Sequence, residues 1–292
     1  MSPTIPEQDP SSLLRRAVER LRGIEAGNPR LEAEYLAAAA LGIERIELLR
    51  RRADEPFPPA AVELFERLLA RRLARAPLQY VLGTAPFCDL LLEVGPGTLI
   101  PRSETEVLVE RVVEVVRGTE ASAPLLVDVG TGSGAILLAC LHALPAWKGV
   151  GLDRSPEALR WTQRNRDALG FTSRAALFRG DLCAALRPGS ADLVVSNPPY
   201  IRRAELPDLA PEIRDHEPRS ALDGGEDGLE VVRRLVPEAE AALCRGGWLA
   251  LELAPDQPAA VAEALQSGGH FDPVRIFSDL AARPRGVLAR KR

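Results

Sequence analysis

An open α/β domain, preceded by a small helical bundle and a hairpin linker, is the fold class this sequence predicts. Three features of the chain carry that reading. Between Ser11 and about Arg75 apolar residues recur at helical spacing. The apolar run Leu125–Val129 leads through Gly130-Thr131-Gly132-Ser133-Gly134 into a helical pattern. A second run, Ala191–Val195, ends in Ser196-Asn197-Pro198-Pro199-Tyr200. Short apolar strands alternating with helices indicate a mostly parallel sheet, and such sheets keep their chemistry beyond the carboxyl ends of the strands.

The bundle comes first. Leu13, Leu14, Ala17, Val18 and Leu21 form one helical face, Gly27-Asn28-Pro29 breaks the chain, and Leu31–Leu41 and Glu44–Arg52 continue it. Val62, Phe65, Leu68, Leu69 and Leu73 line a further helix over 60–74. No cluster in this region carries chemistry, so it is either a structural cap or a surface that recognises a macromolecular partner. From Pro77 the character changes. Leu78–Gly83 and Leu90–Val94 read as two hairpin strands with glycine and proline at the bends. Ser103 is the expected N-cap of the next helix, which Glu104 and Glu106 favour at its positive end and which runs to Arg117. Arg102 beside that start is either a surface charge or part of a site.

Leu125–Val129 is a buried strand, and its glycine loop opens the helix 135–144. Glycines let backbone approach a ligand closely, and the first N–H groups of a helix meet negative charge. The Gly-x-Gly-x-Gly spacing departs from the dinucleotide pattern, and Asp128 just before it would repel a pyrophosphate. It suits the methionine part of S-adenosylmethionine, which carries an ammonium and a carboxylate. A second strand, Gly149–Leu152, ends in Asp153, about twenty residues beyond the loop, where an acid can accept both ribose hydroxyls. A third, Arg174–Phe178, is followed by Asp181 and Leu182, placed to meet an adenine amino group and ring; a turn-capping aspartate is the competing reading.

The Asn-Pro-Pro-Tyr turn is the centre of the site. Its prolines fix φ and remove two backbone donors, and Pro198 biases Asn197 away from helix. What remains offers the Asn197 side-chain oxygen and backbone carbonyls as acceptors, with Tyr200 beside them. That arrangement suits a planar group bearing –NH2, although such a tetrapeptide can also be a plain loop stop. The irregular stretch 202–228 after it is expected to be a lid or substrate wall. A helix over 229–244, a strand over 248–253, a helix over 257–266 and strands near 274–277 and 286–289 complete the domain with an antiparallel edge.

Composition narrows the function further. The chain has 292 residues, 37 basic against 41 acidic side chains and a net charge of -4, which argues against a dedicated nucleic-acid surface. Lysine occurs only at Lys148 and Lys291, a bias of coding and not a binding signal. Cys88, Cys140, Cys183 and Cys244 form no Cys-x-x-Cys pair, and His142, His216 and His270 have no metal-ligand spacing, so no metal is expected. With no signal peptide and no apolar run near a membrane span, a cytoplasmic protein with reduced thiols and no membrane partner is expected. The polar, proline-containing first ten residues or so are expected to lack order.

Taken together, these motifs resemble the peptide chain release factor N5-glutamine methyltransferases, the HemK/PrmC family. The likeness rests on Pro77–Gly83, Leu99–Arg102 with Glu104-Thr105-Glu106, Asp128–Gly134, Ser196–Ile201, Glu217–Leu222 with Gly224–Leu229, and Glu252 with Gln257. Departures are Cys88-Asp89 where a glycine is common, Ser103 for the usual proline and Ala254 for a usual glycine. The resemblance implies a helical N-terminal domain (1–76), a β-hairpin linker (77–100) and a seven-stranded, Rossmann-like class I methyltransferase domain (101–292). It implies transfer of one methyl from S-adenosylmethionine, leaving S-adenosylhomocysteine, to the side-chain nitrogen of the glutamine in the Gly-Gly-Gln motif of class 1 release factors, modulating translation termination. The implied catalytic residues are Asn197, Pro198 and Tyr200. The implied cofactor set is Asp128, Gly130, Thr131, Gly132, Ser133, Gly134, Asp153, Asp181, Leu182 and Asn197, and the implied substrate set is Asn197, Pro198, Pro199, Tyr200 and Arg102. A monomer is expected. Methylation of a base amino group, and a nucleotide-binding scaffold without catalysis, are the alternatives; the acidic charge weighs against the first and the intact Asn-Pro-Pro-Tyr against the second.

Overall fold

The computed structural model describes residues 10–25, 27–52, 55–117 and 123–292. The start of the chain, expected to lack order, lies outside the described residues as far as Asp9. Two compact units result: the described residues up to Gly83 group with Pro211–His216, and Thr84–Ala210 groups with Glu217–Arg292.

The first unit is built from helices α1 (Pro10–Arg22), α2 (Pro29–Leu41), α3 (Arg45–Arg50) and α4 (Pro59–Leu73) around Leu13, Leu21, Leu36, Phe65 and Leu69. Pro29 and Pro59 open their helices, where a missing N–H costs no hydrogen bond. Asn28 caps α2 by accepting the Leu31 N–H at 3.1 Å. Arg72, 4% exposed, is neutralised by Glu32 at 2.7 Å and Glu212 at 2.9 Å. Losing one partner of such a set would leave a buried charge uncompensated, which costs more than the pair itself contributes.

Leu78–Gly83 is not the expected hairpin strand. Leu78–Leu82 is a helical turn, α5, which Pro77 opens and Gly83, at φ 81, closes. Proline before and glycine after are helix start and stop signals as well as strand boundaries, and a five-residue apolar run does not decide between them. The hairpin starts one element later. β1 (Thr84–Phe87) pairs antiparallel with β2 (Leu90–Glu93) across Cys88-Asp89, with Cys88 in the left-handed region at φ 49. The next helix, α6 (Ser103–Val116), is preceded by Arg102 at the capping position; Ser103 lies inside the helix, and its hydroxyl bonds Glu104 instead of a backbone N–H.

Strands β3 (Leu125–Val129), β4 (Lys148–Asp153), β5 (Ala175–Arg179), β6 (Ala191–Ser196), β7 (Leu243–Glu252), β8 (Phe271–Ser278) and β9 (Pro284–Lys291) form one sheet of order β5-β4-β3-β6-β7-β9-β8. β9 is antiparallel to both its neighbours, as the expected antiparallel edge requires. Helices α7 (Ala135–Ala143), α8 (Pro156–Ala168), α10 (Glu230–Ala242) and α11 (Pro258–Ser267) connect the strands, with the short α9 (Pro211–Arg214) in the irregular stretch. Alternate strand residues feed two cores. Leu126, Leu193 and Val195 join α6 and α7, whereas Val127, Val194 and Leu249 join α10 and α11. Burial on both faces explains why β3 reads as a continuous apolar run. Order reverses between β3 and β6, the point where an open sheet leaves a crevice. Among the described residues no helix is long and apolar enough to cross a membrane.

Candidate active site

The crevice at that reversal is lined by Gly130, Gly132, Asp153, Asp181, Leu182, Ser196, Asn197, Pro198 and Pro199, and also by Pro218, Ser220 and Ala221. Four strand ends supply it: the glycine loop follows β3, Asp153 ends β4, Asp181 and Leu182 follow β5, and the Asn-Pro-Pro-Tyr turn follows β6. Of the stretch expected to be a lid or substrate wall, Pro218, Ser220 and Ala221 join the lining.

The glycine loop owes its shape to its backbone. Gly130, Gly132 and Gly134 have φ of 74, 59 and 84, a region where a side chain is strained. At Gly134 a Cβ would also meet Thr162 Cγ2 at 2.8 Å. Asp128, wholly buried, accepts the Thr131 hydroxyl at 2.7 Å and the Leu137 N–H at 3.2 Å. Burial pushes its carboxyl up to about 7 against the pull of those two donors. Its Oδ1 has no hydrogen-bond partner among the described residues. Thr131 and Ser133 are buried too, so with Asp128 and Gly134 they shape the loop from behind the crevice. From α8, Thr162 donates to the Gly132 carbonyl at 2.8 Å and Asn165 donates to the Ser133 carbonyl at 2.9 Å. Asn165 also accepts the Glu93 N–H at 2.7 Å and donates to the Glu93 carbonyl at 2.9 Å, tying the hairpin to the loop.

Asp153 faces the crevice and accepts from Gly132 N–H at 3.0 Å and Ser155 N–H at 2.9 Å. Burial raises its pKa, and those two N–H groups oppose the rise. Asp181 lies past the end of β5, exposed, with Arg234 as its ion-pair partner at 2.5 Å. Leu182 beside it is left-handed at φ 52.

The Asn-Pro-Pro-Tyr turn is held by side chains from far along the chain. Asn197 Nδ2 donates to Thr105 Oγ1 at 3.1 Å. Ser196 Oγ donates to the Val129 carbonyl at 2.7 Å, joining the two strand ends. Gln257 donates to the Tyr200 carbonyl at 3.1 Å while accepting the Ala254 N–H at 3.0 Å. The Tyr200 hydroxyl donates to Glu252 at 3.4 Å and accepts from Arg285 at 3.3 Å. Burial, then Glu252, push that phenol up to about 12. Beneath the turn, Gly224 bonds the Ile201 carbonyl at 2.8 Å, and a Cβ there would lie 2.7 Å from the Pro199 carbonyl oxygen.

Tyr200 and Arg102 do not line the crevice. Arg102 pairs with Glu217 at 2.5 Å, and the Glu217 carboxylate, 1% exposed, also accepts the Ile100 N–H at 3.2 Å. Sequence reasoning gave no role to Thr105, Thr162 or Asn165; their signal was a polar residue on the buried face of a helix.

Comparison with known proteins agrees with this geometry. Residues 12–83 match the family model described as PrmC N-terminal domain, and 104–216 match that of the methyltransferase small domain. A release factor glutamine methyltransferase of Geobacter sulfurreducens is 45% identical over 86% of this chain and 85% of its own. Those of Moorella thermoacetica and Mycolicibacterium smegmatis are 43% and 41% identical, over 96% and 94% of this chain and 97% of their own in both cases. Among solved structures, the hMettl16 catalytic domain superposes with a TM-score of 0.54 at 17% identity, over 68% of this chain and 75% of that one, a likeness of fold alone. The sheet order and that likeness are those of a Rossmann-like class I methyltransferase fold. At such identity and coverage, the chain is a methyltransferase that belongs to the release factor glutamine methyltransferase family.

Proposed function

We propose that this enzyme uses S-adenosylmethionine to methylate N5 of the glutamine in the Gly-Gly-Gln motif of class 1 peptide chain release factors, and so modulates translation termination. The observation that carries the reading is the meeting of the glycine loop and the Asn-Pro-Pro-Tyr turn in one crevice. The residues fit such a cofactor. A left-handed glycine loop gives close backbone approach, and Asp153 offers oxygens to ribose hydroxyls. Gly130, Gly132, Asp153, Asp181, Leu182 and Asn197 would hold it, with Asp128, Thr131, Ser133 and Gly134 keeping the loop in shape. When bound, the cofactor supplies an electrophilic methyl on its sulfonium.

The protein's part is positioning and charge. An amide nitrogen is a poor nucleophile because its lone pair is conjugated with the carbonyl. Alignment can offset roughly 7–11 kcal/mol of barrier in well-oriented cases. Oxygens of Asn197 and of the Pro198 carbonyl accept the two amide hydrogens, which stabilises positive charge as it develops on nitrogen. Pro199 keeps the turn rigid and donor-free, and the Tyr200 ring flanks the acceptor. Tyr200, at about 12, keeps its proton and is no base, so the proton leaves to water. Arg102 acts through Glu217 on the wall of the site. The helical unit serves to recognise the release factor.

The experiment is mass spectrometry of a release-factor digest after incubation with the protein and S-adenosylmethionine. One added methyl on the Gly-Gly-Gln glutamine is expected. Methyl found only on added nucleic acid, or on no acceptor, would sink the proposal.

A further inference from the structure

An aspartate at the head of a turn ordinarily spends its carboxylate on that turn, accepting the N–H two residues on. Asp181 heads the turn after β5 and does not do this. The Cys183 N–H donates instead to Glu238 of α10 at 2.9 Å, and Leu182 between them is held in the left-handed region at φ 52. Asp181 Oδ2 is taken by a second α10 side chain, Arg234, at 2.5 Å, while Oδ1 accepts from no described residue. Arg234 and Glu238 stand one helical turn apart and so share a face of α10. Val231, a turn before Arg234, lies on that face too, and both Val231 and Arg234 line the crevice. Behind the loop, Cys183 is buried, and Leu182 packs against the core that holds Val232 and Leu235. At the loop's start the Gly180 N–H donates to the Asp153 carbonyl at 3.1 Å. The segment after β5 is therefore shaped from α10, and its own aspartate is left with an oxygen to spare at the crevice.

We propose that Arg234 and Glu238 are positioning residues that set the selectivity of the crevice for adenine: Glu238 takes the turn's N–H and so frees the Asp181 carboxylate, and Arg234 holds one carboxylate oxygen and leaves the other for an amino group. This rests on the reading of Asp181 and Leu182 as the adenine end of the S-adenosylmethionine site. A carboxylate paired with arginine only accepts, so it favours the 6-amino group of adenine over the 6-oxo group of hypoxanthine. Without Arg234 the carboxylate loses its orientation. Without Glu238 it falls back on the Cys183 N–H, and in either case the preference between the bases goes.

The test is the calorimetric affinity of the full-length protein for S-adenosylhomocysteine and for S-inosylhomocysteine, in which the 6-amino group is replaced by an oxygen. The wild type should bind the adenine form about tenfold tighter or more, the effect of one hydrogen bond to a charged acceptor. Arg234→Met and Glu238→Ala should each bring that ratio close to one by weakening the adenine form. Glu238→Gln still offers an oxygen to the Cys183 N–H and should restore most of the ratio. A merely structural role would weaken both ligands alike and leave the ratio in place. If Glu238→Ala does not fold, the exposed Arg234→Met decides. A wild-type ratio in folded Arg234→Met or Glu238→Ala, or a loss in Glu238→Ala that glutamine does not restore, would overturn the proposal. Asp181→Ala is the reference: a wild-type ratio there removes the adenine reading of Asp181 itself, whereas a lost ratio there beside an intact one in Arg234→Met removes the role of α10 alone.

Discussion

The glycine loop after β3 and the Asn-Pro-Pro-Tyr turn after β6 lie at adjacent strand ends, yet their shapes have different sources. The loop's backbone shape is largely its own, with left-handed glycines at 130, 132 and 134 and Asp128 accepting from Thr131 and Leu137, and Thr162 and Asn165 of α8 brace its carbonyls. The turn has little local choice beyond its prolines. Thr105, Gly224, Gly228, Glu252 and Gln257 hold it, from elements distant in sequence. The loop's shape is thus mostly written in its glycines, whereas the turn's shape is mostly supplied by the assembled domain around it.

Asn197→Ala should break the turn's side of this comparison most severely. Losing one oriented contact costs about 2.7–4 kcal/mol of transition-state stabilisation, or roughly 10²–10³ in rate, and S-adenosylmethionine affinity should survive. Single-turnover transfer and calorimetry measure the two separately. Next comes Gly228→Ala, which touches no ligand. Its Cβ would lie 2.4 Å from the Tyr200 carbonyl oxygen and 2.5 Å from Gln257 Nε2, at a φ of 79. A displacement of the turn by about 1 Å can cost around 10²-fold in kcat. Normal turnover by a folded Gly228→Ala protein would mean the turn does not depend on its distant supports.

On the loop side, Asp153→Ala should weaken S-adenosylmethionine binding tenfold or more, since hydrogen bonds to a charged acceptor contribute about 1.5–3 kcal/mol each. Unchanged affinity by calorimetry would take Asp153 out of the site. Asp128 gives a pH signature. Its folded pKa, about 7, exceeds the unfolded value, so the native state binds the extra proton between the two. Stability is therefore greatest below the unfolded pKa and falls as pH rises towards about 7, by up to about 1.4 kcal/mol per unit. Urea denaturation across that window should show the slope, and Asp128→Asn should flatten it. The smallest effect is at the hairpin. Cys88 sits at φ 49, which costs an L-residue about 1–2 kcal/mol, partly offset by the greater unfolded-state entropy of glycine. Cys88→Gly should raise Tm slightly and leave turnover alone; a lower Tm would mean the Cys88 side chain contributes packing that outweighs the strain.

Legibility in the sequence follows the same division. Strands β3, β4 and β6, the glycine loop, Asp153 and the Asn-Pro-Pro-Tyr turn were readable because apolar runs, glycines and prolines act over a few residues. The Leu78–Gly83 run is too short to tell a helical turn from a strand, and Ser103 resembles a cap although Arg102 occupies that position. Arg102 reads from its neighbours as either a surface charge or part of a site, because its ion-pair partner, Glu217, is 115 residues away. Thr105 was invisible as a support for Asn197, 92 residues on. No local pattern encodes such a contact; it exists only once α6 packs beside the sheet.

Asn165, with its single amide, carries a further consequence. It bonds both backbone groups of Glu93 in β2 and the Ser133 carbonyl in the glycine loop. The hairpin edge therefore cannot open without releasing a strut of the cofactor loop. The two segments should open as one unit in amide hydrogen exchange, and protection of the Glu93 N–H becomes a remote gauge of the loop. Added S-adenosylmethionine should slow exchange at Glu93, a residue not among those lining the crevice, because closing one end of a shared tether closes the other.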